Sequence, residues 1–252
     1  MLELQGLTCR YGGVSALSDV SVVIPQHQIF GIIGPNGAGK TTLLNLVSGL
    51  TRPAAGRILL DGERIDRLPA YRIARRGIAR TFQQPRLLQE CSVREHVLVA
   101  QHCRGKGRLW QELIFSKLTR RERAGRRQRA QALLELVHLE HVADRPAGSL
   151  TIGDQRRLDI ARALAQAPQY LLLDEPSAGM SEPETRDLLR LLLEVTQGGV
   201  TVVLAEHDAR LALDVCDRVA VLNAGKVLVE GPAREVGANA EVQQAYLGSE
   251  EA

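Results

Sequence analysis

The sequence predicts an α/β fold, and three stretches predict it. The apolar, β-prone run Ile29-Phe30-Gly31-Ile32-Ile33 enters Gly34-Pro35-Asn36-Gly37-Ala38-Gly39-Lys40-Thr41-Thr42. After that glycine-rich loop, Leu43, Leu44, Leu46, Val47 and Leu50 recur at helical spacing, which predicts an amphipathic helix over residues 40–50. Tyr170-Leu171-Leu172-Leu173 reads as a second buried strand, ending in Asp174-Glu175-Pro176. A helical pattern over 182–195 leads to a third strand over 200–205, which ends in Glu206-His207-Asp208. Strands alternating with helices point to a largely parallel sheet.

The loop fits G-x-x-x-x-G-K-[ST], with Gly34, Gly39, Lys40 and Thr41 at the required places. Strand, loop and helix start together make a phosphate cradle, because glycines let the backbone wrap closely and aim N–H groups and the helix's positive end at an anion. The pattern predicts that Lys40 reaches the β- and γ-phosphates of a nucleotide and that the Thr41 hydroxyl ligates Mg²⁺. Asp174 at the carboxyl end of a buried strand has the placement of a second metal-holding acid. Glu175 beside it can accept a proton from an attacking water. The same Asp-Glu-Pro could instead cap the next helix; the two uses are compatible.

The remaining elements come in chain order. Residues 2–10 and 17–24 read as strands around Tyr11-Gly12-Gly13, and 56–60 as another closed by Asp61-Gly62. Tyr11 in its glycine-flanked turn could stack on a base; taken alone, a half-buried tyrosine is the simpler reading. A short basic helix over 71–77 precedes Ile78-Ala79-Arg80-Thr81-Phe82-Gln83-Gln84-Pro85, where Pro85 keeps both glutamines out of a helix. Helical spacing resumes over 86–101, a basic helix is expected over about 110–137, and 144–149 reads as the clearest internal boundary. A helix over 154–167 carries Leu158, Ile160, Ala161, Leu164 and Ala165 on its apolar side. Residues 219–222 and 226–229 pair as a hairpin across Asn223-Ala224-Gly225.

At 252 residues, with 32 Lys and Arg against 29 Asp and Glu, the chain has a substantial core and no general affinity for polyanions. Residues 104–129 nevertheless carry ten basic and two acidic side chains, leaving the remainder at −5. A solvated helix face accounts for this, and contact with anionic lipid headgroups is the sharper reading. Cys9, Cys91, Cys103 and Cys216 show neither disulfide nor metal spacing and suit a reducing compartment. No apolar run approaches the ~18 residues of a membrane span, and the start lacks the regions of a signal peptide.

With the loop and the acids stands Leu150-Thr151-Ile152-Gly153-Asp154, then Gln155-Arg156-Arg157. In this company the chain resembles, over nearly its full length, the nucleotide-binding subunits of ATP-binding-cassette (ABC) transporters. Residues 150–154 resemble that family's LSGGQ signature; Thr151 keeps the hydroxyl and Gly153 the glycine, while Ile152 and Asp154 depart from it. The resemblance implies a P-loop NTPase with a RecA-like core, an N-terminal antiparallel β subdomain and a helical subdomain at about 84–160, all one cassette over 1–252. It implies that Tyr11 stacks on adenine, that residues 34–42 hold the phosphates, and that Thr41, Gln83 and Asp174 hold Mg²⁺. It further implies that Glu175, His207 and Gln83 serve hydrolysis, that Ser177-Ala178-Gly179-Met180 forms the D-loop, with Met180 replacing the usual Asp, and that Thr151 to Asp154 meet the ATP of a partner cassette.

Within the family, the chain is similar to the ATPases of branched-chain amino acid importers. That likeness rests on Ala79-Arg80-Thr81-Phe82-Gln83, on residues 93–102, on the long insert before the signature, on Glu175-Pro176-Ser177-Ala178-Gly179-Met180, and on Ala245-Tyr246-Leu247-Gly248. It implies a second ABC subunit, membrane permeases and an extracytoplasmic substrate-binding protein as partners, no nucleic acid, and a place at the cytoplasmic face of the membrane. The competing functions are lipid or lipopolysaccharide export, and a cassette acting on DNA or ribosomes, which usually has two cassettes in one chain or long coiled-coil inserts.

Overall fold

The computed structural model describes residues 1–83, 87–101, 117–239 and 242. The chain divides into two compact units, one of Met1–Gln83, Gln169–Ala178 and Leu192–Ala252, the other of Gln84–Pro168 and Gly179–Leu191.

The first unit holds two sheets. One is antiparallel, in the order β2-β1-β4-β5, built from β1 (Leu2–Tyr11), β2 (Val14–Ile24), β4 (Ala55–Leu60) and β5 (Glu63–Arg64). Along β1 buried and partly exposed residues nearly alternate, the period of a strand with one face on a core. The other sheet has the order β10-β9-β3-β8-β7-β6. Its strands are β3 (Ile29–Ile33), β6 (Ile78–Arg80), β7 (Tyr170–Asp174), β8 (Thr201–Glu206), β9 (Arg218–Asn223) and β10 (Lys226–Pro232). All neighbours are parallel except β10, which returns antiparallel to β9 through the expected hairpin. Every residue of β3, β7 and β8 is buried, as expected of parallel strands covered on both faces.

Helix α1 (Lys40–Val47) ends three residues before the expected limit, because Gly49 turns left-handed at φ 73°. Its Leu43, Leu44, Leu46 and Val47 join one core cluster with Leu4, Leu17 and Ile24 of the antiparallel sheet and with Phe30, Leu172 and Val203 of the parallel one. α2 (Ala70–Arg75) lies at the expected basic helix, α7 (Ala209–Val215) is capped by the Asp208 carboxylate, and α8 (Ala233–Gly237) comes after the hairpin.

The second unit is helical. α3 (Val93–Gln101) packs against both α4 (Lys117–Leu136) and α5 (Ile152–Leu164). α3 begins seven residues later than expected, since Ser92 and Glu95 form a reciprocal cap. One other expectation fails here, and the alternative use of Asp174 to Pro176 as a helix cap is not found. Residues 144–149 do not divide the chain: Ala147 N–H donates to Cys91 O, Gly148 N–H to Gln89 O, and Arg94 pairs with Asp144, so this turn is stitched inside the unit. Asp174-Glu175-Pro176 caps no helix, because α6 (Glu182–Gln197) starts seven residues after Glu175, with Ser181 bonded to Glu184 at its entry.

On α4, Arg123, Arg127 and Arg129 are exposed; residues 102–116, Cys103 among them, lie outside the described residues, as do Gln84, Pro85 and the chain end at 245–248. No helix among the described residues is long and apolar enough to cross a membrane.

Candidate functional site

The parallel register sets the site. Ile33 stands opposite Glu206 across β3 and β8, and Asp174 opposite Ala205 across β7 and β8. Three strands therefore end level, and the residues just beyond their ends (the glycine loop, Glu175 and His207) gather at one sheet edge. A cleft of about 280 Å³ opens there, lined by Ala16, Asn36, Gly37, Ala38, Gly39, Lys40, Thr41, Thr42, Gln83 and Glu175.

Two contacts show why the loop needs its glycines. A Cβ on Gly34 would lie 2.2 Å from the Leu222 carbonyl oxygen, so no side chain fits between β3 and β9. Gly39, at φ 106°, is the N-cap of α1, and a Cβ on it would lie 2.8 Å from the Ala16 carbonyl oxygen. The hairpin turn buttresses the loop: Gly225 N–H donates to Ala38 O, and Ser18 N–H of β2 donates to Gly225 O.

Lys40 is 4% exposed and folds across its own loop. Its ammonium donates to Gly34 O at 2.8 Å and to Pro35 O at 3.2 Å, and lies 3.6 Å from Glu175 Oε1. Glu175 itself has left-handed backbone, φ 45°, and its N–H is held by Ala205 O at 2.9 Å. A glutamate in that region is strained, which fits a side chain aimed by its surroundings. Its second oxygen lies 3.7 Å from His207 Nδ1, and His207 is exposed.

Behind the cleft, the Thr41 hydroxyl donates to Asp174 Oδ1 at 3.1 Å. The other oxygen of Asp174 accepts from Arg80 Nη2 at 2.9 Å. Burial pulls the Arg80 guanidinium below the usual arginine range, and the Asp174 charge opposes that shift. A hydroxyl, a carboxylate and the Gln83 amide make an all-oxygen donor set, the kind that holds Mg²⁺ beside phosphates.

Two residues of this edge escape sequence reading. Arg80 stands at the end of the short strand β6, inside the 79–83 stretch that carries the family likeness, and nothing in that pattern pairs it with Asp174. Glu206 closes the apolar run of β8 and is fully buried. Its Oε1 accepts from the Ser177 hydroxyl at 2.7 Å, its Oε2 has no hydrogen bond among the described residues, and burial raises its carboxyl above the usual range.

Tyr11 is 48% exposed at the end of β1 and is not among the cleft's lining residues. Residues 151–154 belong to the helical unit. Thr151, not Asp154, opens α5: its hydroxyl oxygen accepts the Asp154 N–H at 3.2 Å, so the helix starts two residues earlier than expected. Ile152 is exposed. Gly153 is buried, and a Cβ there would meet Glu184 Oε1 at 3.0 Å.

The ABC transporter family model matches residues 17–178. That match spans the glycine loop, residues 150–154 and Asp174-Glu175, and the chain belongs to this family: it is the ATP-binding, ATP-hydrolysing subunit of an ABC transporter. The BraF high-affinity branched-chain amino acid transport ATP-binding protein of Pseudomonas aeruginosa is 42% identical, covering 98% of each chain. The LptB lipopolysaccharide export ATP-binding protein of Haemophilus influenzae is 34% identical over 99% of this chain and 98% of that one. Among solved structures, the cassette MJ0796 in a dimeric post-hydrolysis state bound to ADP and Pi aligns with TM-score 0.77 at 28% identity, covering 93% of this chain and 99% of that one.

Glu206 generates a stability prediction. A carboxyl with a raised folded-state pKa stabilises the fold fully below its unfolded value, about 4.3, and that contribution is lost as pH rises through the folded value. Glu206→Gln keeps an acceptor for Ser177 and cannot ionise. Its melting temperature should therefore gain on the wild type as pH rises from 5 to 8, by roughly 2–4 °C per kcal/mol recovered. A difference independent of pH would mean that Glu206 carries no such shift.

Proposed function

We propose that this chain powers uptake of branched-chain or related amino acids through separate permeases, and that the described cleft is its ATP site. The 42% identity to a branched-chain amino acid transport ATPase over 98% of both chains carries the substrate class; the lipopolysaccharide exporter relative stands at 34%. The cassette comprises residues 1–252, with the helical subdomain inserted at about 84–160. It sits peripherally at the cytoplasmic face of the membrane, under permeases served by an extracytoplasmic binding protein.

Residues 34–42 receive the phosphates of ATP, with loop amides and the α1 N-terminus supplying the attraction. Lys40 leaves Gly34 O and Pro35 O for the β- and γ-phosphate oxygens, and its departure frees Glu175 from the 3.6 Å ion pair. The Thr41 hydroxyl, Asp174 and Gln83 would hold Mg²⁺, which would supply neutralisation of developing phosphate charge. Glu175 accepts the proton of the attacking water, and His207, 3.7 Å from it, orients the γ-phosphate end. Tyr11 stacks on the adenine. A second cassette closes the site by bringing its own Thr151, Ile152, Gly153 and Asp154 to this ATP, so nucleotide joins the dimer and hydrolysis releases it.

Glu175→Gln should keep ATP binding, lower turnover by ~10²-fold or more, and leave a dimer that persists with ATP. Near-normal turnover by that variant, measured as phosphate release, would remove Glu175 from the role of base. For the substrate, uptake of labelled leucine, isoleucine and valine should disappear in cells whose only copy carries Lys40→Ala. Unimpaired uptake together with loss of lipopolysaccharide from the cell surface would reverse the assignment in favour of export.

A further inference from the structure

The reading of Asp174 as the metal-holding acid, on which this inference rests, leaves Arg80 to be explained. Both oxygens of Asp174 are engaged, Oδ1 by the Thr41 hydroxyl and Oδ2 by Arg80 Nη2. The guanidinium is itself fixed on other sides. Nη1 donates to Asn45 Oδ1 at 2.7 Å and to Ser48 Oγ at 3.1 Å, both on or next to α1, and the cation lies 5.7 Å from the Phe82 ring. Its side chain is only 6% exposed.

The two ion pairs at this edge therefore differ in kind. Lys40 lies 3.6 Å from Glu175 and holds it loosely through a flexible stem, so the pair can open when phosphate arrives. Arg80 holds Asp174 through Nη2 alone, but its planar guanidinium is kept in place by three further groups, Asn45, Ser48 and the Phe82 ring. Its Nε has no hydrogen bond among the described residues.

We propose that Arg80 is a positioning residue for the metal: by holding Oδ2 of Asp174 it keeps Oδ1 turned to Thr41 and presented to the ion that accompanies ATP. Arg80 touches neither phosphate nor metal and acts only through Asp174. Without it, a carboxylate sealed from water loses its counter-charge and swings to other donors. Loss of such an outer partner costs ~10–100-fold in metal affinity. The competing role is a strut that joins α1 to the end of β6, with no bearing on the metal.

Metal binding separates the two roles. Mn²⁺ is titrated into the purified full chain with a non-hydrolysable ATP analogue and monitored by electron paramagnetic resonance, and analogue affinity is measured separately in EDTA. Arg80→Gln should raise the half-saturating Mn²⁺ concentration ~10-fold or more and leave analogue affinity in EDTA unchanged, because the glycine loop is intact. Arg80→Lys should recover part of the loss. Asn45→Ala, which removes one anchor and keeps the ion pair, should shift Mn²⁺ binding the same way by less, and supplies the answer if Arg80→Gln does not fold. Unchanged Mn²⁺ binding in these variants, with only a lower melting temperature, would make Arg80 a strut and overturn the proposal. If the wild-type complex itself holds no Mn²⁺, the reading of Asp174 falls and the proposal with it. Mn²⁺ binding by the wild type that survives unaltered in Arg80→Gln overturns the proposal alone.

Discussion

The parallel register of β3, β7 and β8 is the constraint on which the site depends. Ile29 pairs with Val202 and Tyr170 with Thr201, so the three strands start together and finish together. A side chain alternates faces along a strand, and a slip of one residue would turn Asp174 away from Thr41. The strands are covered on both faces, since every residue of them is buried and most are apolar. Chemistry-bearing groups from residues 34–42, 174–175 and 206–207, distant in the chain, become neighbours for that reason alone.

The glycine loop is then held from behind rather than by its own rigidity. Gly34 lets the loop press on the Leu222 carbonyl, and the turn of the β9–β10 hairpin bonds to Ala38. Because the same turn also receives Ser18 of β2, the antiparallel sheet, the hairpin and the loop are fixed to one another through Gly225. The acids at positions 174 and 175 each meet a cation of their own, Lys40 for Glu175 and Arg80 for Asp174. This arrangement limits the repulsion that two adjacent carboxylates would otherwise impose on a buried sheet edge.

Much of this is legible in the sequence, and the exceptions have physical causes. The α/β class, β3, β7, β8, the 223–225 hairpin and the placing of residues 34–42 and 174–175 at strand ends come from period and motif spacing, and the part of His207 from the family resemblance. Helix starts are less visible where a cap overrides apolar spacing: Ser92 with Glu95 starts α3 at Val93, and Thr151 starts α5 at Ile152. Residues 144–149 look like a linker because Pro146 and Gly148 mark a turn, and a turn can be buried by long-range backbone bonds that no local pattern reveals. Arg80 and Glu206 stay hidden for a related reason. A charged residue at a strand end is common, and only tertiary contact distinguishes a solvated one from one that grips Asp174 or Ser177.

Strand register, on this view, brings the loop and the acids to one nucleotide-binding edge. Amide hydrogen exchange of the full chain, with and without ATP and Mg²⁺, tests this most directly. Exchange should slow in segments 34–42, 174–178 and 206–208 together, with β1 and α3 unchanged. Protection of 34–42 alone, with 174–178 and 206–208 exchanging as before, would contradict it.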